Sequence, residues 1–179
     1  MIRSKGELVL ALGGARSGKS SWALRYVEEN YHSYVFLATA QVLDDEMAER
    51  VKLHQESRGP KWHLIEEPIE IPKTLKTKCS DFEAILIDCL TLWLSNIMLK
   101  MDDKEVSQYQ DHLLEALSER KQAIIIVSNE VGTGIIPEFP MGRKFRDLAG
   151  QLNQEIAALA DRVLFMIAGL PLALKGPPN

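Results

Sequence analysis

Cysteine, long apolar runs and excess charge of one sign are all scarce in this chain of 179 residues. Its two cysteines, Cys79 and Cys89, lack the spacing of a disulfide framework or a thiolate metal site, so we expect reduced thiols. The apolar run near the amino terminus spans only Leu8 to Leu12, which is too short for a signal peptide or a membrane span. We therefore expect a cytoplasmic protein without a membrane partner.

The charge balance argues against a polyanionic partner. The formal net charge is −4, and the 21 lysines and arginines are dispersed along the chain. The sequence shows no basic face for nucleic acid, so we expect no nucleic-acid partner and expect anionic ligands to be bound by local clusters. With 46% hydrophobic residues, the length suits one domain over residues 1–179, with residues 1–6 as a loose extension.

What the sequence does contain is an apolar strand followed at once by Gly13-Gly14-Ala15-Arg16-Ser17-Gly18-Lys19-Ser20. This run matches the pattern G-x-x-x-x-G-K-[ST] of the P-loop, whose backbone N–H groups surround phosphates. Lys19 supplies a cation, Ser20 a magnesium ligand, and a helix beginning near Gly18 directs its positive end at the same anions. The motif predicts a nucleoside triphosphate with Mg²⁺, bound by Lys19 and Ser20 in an exposed loop. The competing interpretation is a glycine-rich turn that only caps a helix.

Short apolar runs alternate with helical stretches along the rest of the chain. The predicted strands are Leu8 to Leu12, Tyr34 to Ala38, Ala84 to Ile87, Ala123 to Val127 and Val163 to Ile167; the predicted helices cover about 20–29, 45–57, 90–100, 103–120 and 143–160. Residues 67–72 contain two prolines and are predicted to be an extended connection. This order predicts an α/β fold of the P-loop NTPase type, a mostly parallel sheet with helices on both faces.

A carboxylate follows the predicted strand Ala84 to Ile87. Ligands of open α/β sheets collect at the carboxyl ends of the strands. We therefore expect Asp88 to hold magnesium together with Ser20, as acidic residues at this place do in many P-loop proteins. The competing interpretation is that Asp88 caps the helix that follows.

The predicted helix over 45–57 brings Arg50, His54 and Arg58 onto one face, because these residues are four apart. An imidazole between two guanidinium groups suits an anionic reactant and favours the neutral, nucleophilic form of His54. From the spacing alone, a solvated surface is the more ordinary interpretation.

The run from Ser128 to Gly134 follows a buried strand at a position where a site loop is expected. The next predicted helix has two faces. Its apolar face, Phe145, Leu148, Leu152, Ile156 and Leu159, is predicted to be core, whereas its polar face, Arg143, Arg146, Asp147, Gly150 and Asn153, is explained by solvent alone.

Together these segments resemble one family, the bifunctional adenosylcobinamide kinase/adenosylcobinamide-phosphate guanylyltransferase of cobalamin biosynthesis. The matching segments are residues 13–20, 38–41 and 44–47, Arg50, His54, Arg58 and Trp62, residues 66–68 and 129–132, and Phe145-Arg146-Asp147 with Gly150 and residues 153–154. The resemblance implies phosphorylation of the aminopropanol hydroxyl of adenosylcobinamide, then transfer of GMP from GTP to the new phosphate. It also implies a homo-oligomer, a trimer, with sites between subunits.

The resemblance carries roles to individual residues. It implies Lys19 and His54 as catalytic residues, with His54 carrying GMP as a phosphoramidate. The nucleotide site implied by it comprises the P-loop from Gly13 to Ser20, then Ala38, Thr39, Ala40, Gln55, Glu56, Ser57, Arg58, Glu66 and Asp88. Since the Asn-Lys-x-Asp motif of regulatory GTPases is missing, the choice of GTP depends on the resemblance, and ATP is an alternative donor for the kinase step.

Two other functions compete with this interpretation. One is a P-loop small-molecule kinase that moves only a γ-phosphate, in which His54 is structural. The other is a non-catalytic nucleotide switch or ATPase subunit. An acid-labile nucleotide adduct on the protein distinguishes the first from a nucleotidyl transferase, because a simple kinase forms none.

Overall fold

A computed structural model describes residues 5–41 and 59–177. Its strands are β1 (Leu8–Gly13), β2 (Tyr34–Ala38), β3 (His63–Glu66), β4 (Ala84–Asp88), β5 (Ala123–Asn129), β6 (Arg162–Ile167) and β7 (Leu170–Lys175). Its helices are α1 (Lys19–Asn30), α2 (Ile71–Thr77), α3 (Leu90–Lys100), α4 (Asp103–Ser118) and α5 (Pro140–Leu159).

The seven strands form one sheet in the order β3-β2-β4-β5-β1-β6-β7. Every neighbouring pair is parallel except β6 and β7, which form an antiparallel hairpin at one edge. The strand β1 therefore lies between β5 and β6, with Leu8 opposite Ile124 and Val9 opposite Arg162. The predicted mostly parallel α/β sheet is confirmed.

Helices cover both faces of the sheet because alternate residues of each buried strand point to opposite sides. In β1, Leu8, Leu10 and Leu12 enter a core formed with α2, α3, α4 and α5. The intervening Val9 and Ala11 pack on the other face against α1. All residues of β1 are buried, which is what a central parallel strand requires.

The two edge strands and the helix α2 differ from the sequence prediction. Residues 71 and 72 were expected in an extended connection, but they begin α2, with a proline in its first turn. The ring of Pro72 is tolerated there because the first N–H groups of a helix need no intrahelical acceptor. The predicted helix over 45–57 lies outside the described residues. Within the described ranges, no helix combines the length and apolar character needed to cross a membrane.

Candidate active site

The loop between β1 and α1 depends on a glycine at its tightest turn, directly before the helix. Gly18 is the N-cap of α1, with φ of 94°, a left-handed conformation that favours glycine. A Cβ on Gly18 would lie 3.0 Å from the Cα of Gly169. The N–H of Gly169 also donates to the carbonyl oxygen of Ser17 at 3.0 Å. The turn between β6 and β7 therefore packs against the P-loop and fixes its position.

Lys19 is the first residue of α1 and is only 6% exposed. Its Nζ donates to the carbonyl oxygen of Gly14 at 2.6 Å and lies 3.4 Å from Ser17 Oγ. Burial lowers the pKa of Lys19, while the charge of Asp88 acts in the opposite direction. The expectation that Lys19 lies in an exposed loop is wrong. The lysine is enclosed because its Nζ turns back onto Gly14 and Ser17 of its own loop.

Asp88 ends β4 opposite Ala38, the last residue of β2. The carboxylate is half-buried and close enough to Lys19 for its charge to affect the lysine. The N-cap of α3 is Cys89, without a side-chain capping hydrogen bond, so the position of Asp88 is not that of the predicted helix cap. Burial raises the pKa of the Cys89 thiol to about 11, which keeps it neutral at physiological pH.

Thr39 joins the ends of β2 and β4. Its hydroxyl accepts a hydrogen bond from the N–H of Cys89 and donates to the carbonyl oxygen of the same residue, both at 2.8 Å. Asn96 of α3 donates to the carbonyl oxygens of Thr39 at 2.8 Å and Pro68 at 3.1 Å. Thr39 is buried, and both hydrogen bonds of its hydroxyl go to the backbone of Cys89. We therefore expect Thr39 to hold the ends of β2 and β4 in place at the predicted nucleotide site, without contacting the nucleotide through its hydroxyl.

The remaining described candidates lie on the same carboxyl edge. Ser20 is half-buried in the first turn of α1, and Ala38 and Ala40 flank Thr39. Glu66 ends β3 opposite Ala38 and is exposed. The structure thus brings the P-loop, the end of β2, Glu66 and Asp88 to one edge. Arg50, His54, Gln55, Glu56, Ser57 and Arg58 lie outside the described residues.

Sequence reasoning missed a polar link between β5 and α5. The Oγ of Ser128 donates to Asn153 Oδ1 at 2.7 Å, and Asn153 Nδ2 donates to the carbonyl oxygen of Asn129 at 3.2 Å. The Nδ2 of Asn129 donates in turn to Thr91 Oγ1 at 2.9 Å. Asn153 is buried, so the solvent explanation of its helix face is wrong at this residue. The sequence offered one signal for this link, an asparagine, Asn153, on the polar face of the helix that follows the predicted site loop Ser128 to Gly134.

A phosphate-binding loop at the end of β1, beside a carboxylate that ends β4, defines a P-loop nucleotide-binding protein of the α/β class. A family model described as cobinamide kinase / cobinamide phosphate guanyltransferase matches residues 9–174. The chain belongs to this family.

Named relatives span almost the whole chain. The bifunctional adenosylcobalamin biosynthesis protein CobP of Pseudomonas aeruginosa is 43% identical over 169 residues, covering 94% of this chain and 98% of the relative. The bifunctional adenosylcobalamin biosynthesis protein CobU of Escherichia coli K12 is 32% identical over 181 residues, covering 94% and 99%. Among solved structures, PH0250 of Pyrococcus horikoshii OT3 aligns with a TM-score of 0.55 at 12% identity, over 98% of this chain and 89% of that one. The last similarity concerns the fold alone.

Proposed function

We propose that this protein phosphorylates the aminopropanol hydroxyl of adenosylcobinamide and then transfers GMP from GTP to that phosphate, giving adenosylcobinamide-GDP. The supporting observation is the enclosed Lys19 at the start of α1, in a chain matched from residue 9 to 174 by the cobinamide kinase / cobinamide phosphate guanyltransferase model. The donor of the kinase step is GTP or ATP. We place both reactions in the cytoplasm, where nucleoside triphosphates are available.

The kinase step needs positioning and charge rather than a covalent intermediate. The acceptor hydroxyl oxygen bonds to the γ-phosphorus, the bond from that phosphorus to the β–γ bridging oxygen breaks, and the nucleoside diphosphate leaves with the electron pair. The hydroxyl proton passes to solvent. Lys19 exchanges its contacts with Gly14 and Ser17 for phosphate oxygens, and the N–H groups at the start of α1 face the same charge.

Ser20 and Asp88 fit a magnesium ion. A hydroxyl and a carboxylate, completed by phosphate oxygens and water, are the oxygen ligands that Mg²⁺ prefers beside a triphosphate. In the two described ranges, no group of three or more His, Cys, Asp or Glu side chains is arranged to hold a metal. The donor set is therefore one that relies on the substrate phosphates. When bound, Mg²⁺ neutralises charge that develops on these phosphates.

For the guanylyl transfer, we assign the nucleophile to His54 on the strength of the sequence. The neutral imidazole nitrogen bonds to the α-phosphorus of GTP, and the bond to the α–β bridging oxygen breaks, releasing pyrophosphate. The phosphate of adenosylcobinamide phosphate then displaces the histidine. Arg50 and Arg58, four residues away on each side, supply positive charge to the reacting phosphate.

Incubation of the full chain with labelled GTP and magnesium tests this proposal. We expect label from the α-phosphate to stay with the denatured protein and label from the γ-phosphate to be lost from it. The variant His54→Ala should show no GMP adduct by intact mass while keeping at least part of the kinase activity. The control is His32→Ala, which changes an exposed side chain in the turn before β2. A GMP adduct that persists on His54→Ala contradicts the assignment.

We also propose a homo-oligomer, a trimer by family resemblance, with a subunit boundary near the start of α5. Supporting this, Ile135 is 96% exposed and Phe139 is 72% exposed, immediately before that helix. Large apolar side chains grouped on a surface are typical of protein interfaces. Light scattering is the test. We expect a multimer at working concentration, whereas a fully active monomer contradicts this part of the proposal.

A further inference from the structure

A cavity of about 750 Å³ lies between α5 and the edge hairpin of β6 and β7. Its lining extends from Glu130, just after β5, to Lys175, the last residue of β7. The volume is within the range of small-molecule sites, which is about 300 to 1,000 Å³. It is separate from the residues that form the predicted phosphate cradle, and no role has yet been given to it.

The walls of this cavity differ in chemical character. Leu12, Val163 and Leu174 provide apolar surface from the sheet. Opposite them, α5 contributes the uncharged amides of Gln151 and Gln154. Such a combination binds a ligand that has both an apolar body and groups able to donate and accept hydrogen bonds.

The two cationic side chains that line the cavity already have partners within the protein. Arg146 contacts the carboxylate of Asp147 through Nε at 3.2 Å and through Nη2 at 3.1 Å. Lys175 Nζ donates to the carbonyl oxygens of Ala157 at 3.0 Å and Ala158 at 2.9 Å, at the end of α5. Because the carboxylates of Glu130 and Asp147 also line the cavity, its two cations are matched by two anions, and the lining does not favour a second nucleotide or another polyanion.

The upper end of the cavity is connected to the phosphate cradle. The backbone N–H of Glu130 donates to the carbonyl oxygen of Gly13, the first P-loop residue, at 3.0 Å. The carboxylate of Glu130 accepts from the N–H of Gly132 at 2.7 Å, which shapes the rim. Asn153, in the cavity wall, forms hydrogen bonds with both Ser128 and Asn129. A ligand held against α5 therefore meets the P-loop edge at one end.

Resting on the function proposed above, we propose that this cavity is the acceptor site. It receives one side of a macrocycle whose periphery carries primary carboxamides in place of ionised groups, the chemical class of cobinamide, and leaves the hydroxyl arm at the P-loop edge. The amide of Gln154 pairs with a ligand carboxamide. Gln151 offers its amide oxygen, because its Nε2 donates to Glu155 Oε1 at 3.2 Å. The apolar floor contacts the ring periphery.

Gly150 allows the cavity to be filled without disturbing the fold. It lines the cavity, and a Cβ built on it meets no atom within 4 Å. Replacing a helical glycine also favours the helix, because it reduces the conformational freedom of the unfolded chain. We expect Gly150→Leu to weaken cobinamide binding roughly tenfold or more, measured by equilibrium dialysis of cobinamide against the full-length protein. Binding of a fluorescent GTP analogue should stay within about twofold.

The matched control is Ala158→Leu, which adds bulk to an exposed position of the same helix outside the cavity. It should bind cobinamide like the wild type. A second variant, Gln154→Leu, keeps the size of an exposed side chain but removes its amide, and should weaken cobinamide binding severalfold even if Gly150→Leu folds poorly.

The outcomes separate the two proposals. If the wild type binds cobinamide and both Gly150→Leu and Gln154→Leu bind it equally well, the cavity assignment is overturned. The proposed function is then unaffected. Equal loss of cobinamide and the GTP analogue in folded Gly150→Leu also overturns it, since the effect would then lie in the phosphate cradle. A wild-type protein that binds the GTP analogue but not cobinamide overturns the proposed function, and the acceptor site with it.

Discussion

Each end of the sheet encloses one buried cation, Arg120 at the amino end and Lys19 at the carboxyl end. The hydrogen-bond partners of the two cations differ in how far away they lie in the sequence. At the amino end, Arg120 donates through Nε to the carbonyl oxygen of Gly6, 114 residues away, and through Nη2 to Asp161, 41 residues away. At the carboxyl end, Lys19 contacts Gly14 and Ser17, five and two residues away.

This difference separates a structural role from a ligand-binding one. Arg120 joins segments that are remote in sequence, so its hydrogen bonds hold together the segments that precede β1, β5 and β6. Lys19 contacts only its own loop, so exchanging those contacts for phosphate oxygens leaves the rest of the fold in place. A buried cation with short-range partners is therefore the better candidate for ligand binding, since its displacement costs little tertiary structure.

Lys19→Ala should produce the largest loss of function. We expect both kinase and guanylyl transfer rates to fall by about a hundredfold to a thousandfold, because the substitution removes the positive charge that the P-loop places against the triphosphate. The melting temperature should change little, since the substitution also removes the cost of burying an ammonium group. Steady-state kinetics and a thermal melt measure the two effects. Near-normal turnover would contradict the phosphate-binding role.

Arg120→Ala should give the opposite pattern. Its side chain is buried, and its removal leaves the carbonyl oxygens of Gly6 and Leu117 without this donor. We expect a loss of about 2 to 3 kcal/mol in the free energy of unfolding, with unchanged turnover per folded molecule. Urea unfolding measures the loss, with Arg25→Ala on the exposed surface of α1 as control. Equal stability of the two variants would refute the structural role.

Asp88→Asn sharpens the comparison at the carboxyl end. We expect turnover to fall roughly tenfold to a hundredfold and to need more magnesium, while the melting temperature stays close to that of the wild type. Magnesium titration of the rate is the measurement. A lower melting temperature with unchanged magnesium dependence would instead assign Asp88 to the packing of the sheet end.

The smallest expected effect concerns acid stability at the amino end. Desolvation raises the pKa of Asp161, but hydrogen bonds from the N–H of Leu8 and from Arg120 outweigh it, so the pKa is lowered from 3.8. Because the folded-state pKa is depressed, the stabilisation by Asp161 is complete above the unfolded value and is lost as the pH falls below about 4. Asp161→Asn should flatten the decline of unfolding free energy in this range. An unchanged acid slope would contradict the inference.

The buried strands could be predicted from the sequence because each is a continuous apolar run. The edge strands could not. The sequence of β3, His63–Glu66, is mostly exposed and has no apolar run, and Pro171 in β7 is typical of edge strands or turns. Both strands form because a neighbouring strand offers its backbone groups, which no local pattern reveals.

The P-loop was predictable because all its chemistry is local, whereas the polar links around it were not. Asn153 is buried by a contact with Ser128, 25 residues away, on a helix face that periodicity assigns to solvent. Lys19 was placed correctly by its motif but wrongly as exposed, since its enclosure depends on packing around the loop. The proposed roles of His54 and Asp88 stay predictions.

The central position of β1 has a consequence for how the protein is made. The strand that leads into the phosphate loop begins at residue 8, yet its neighbours β5 and β6 begin at residues 123 and 162. The backbone of Leu8 finds the Asp161 carboxylate only 153 residues later. A nascent chain therefore carries an apolar strand without these partners until they are synthesised, and an exposed apolar strand of this kind favours aggregation. Nucleotide therefore stabilises the fold fully only after the Gly169 turn, which follows β6 and donates to Ser17 in the loop, has formed.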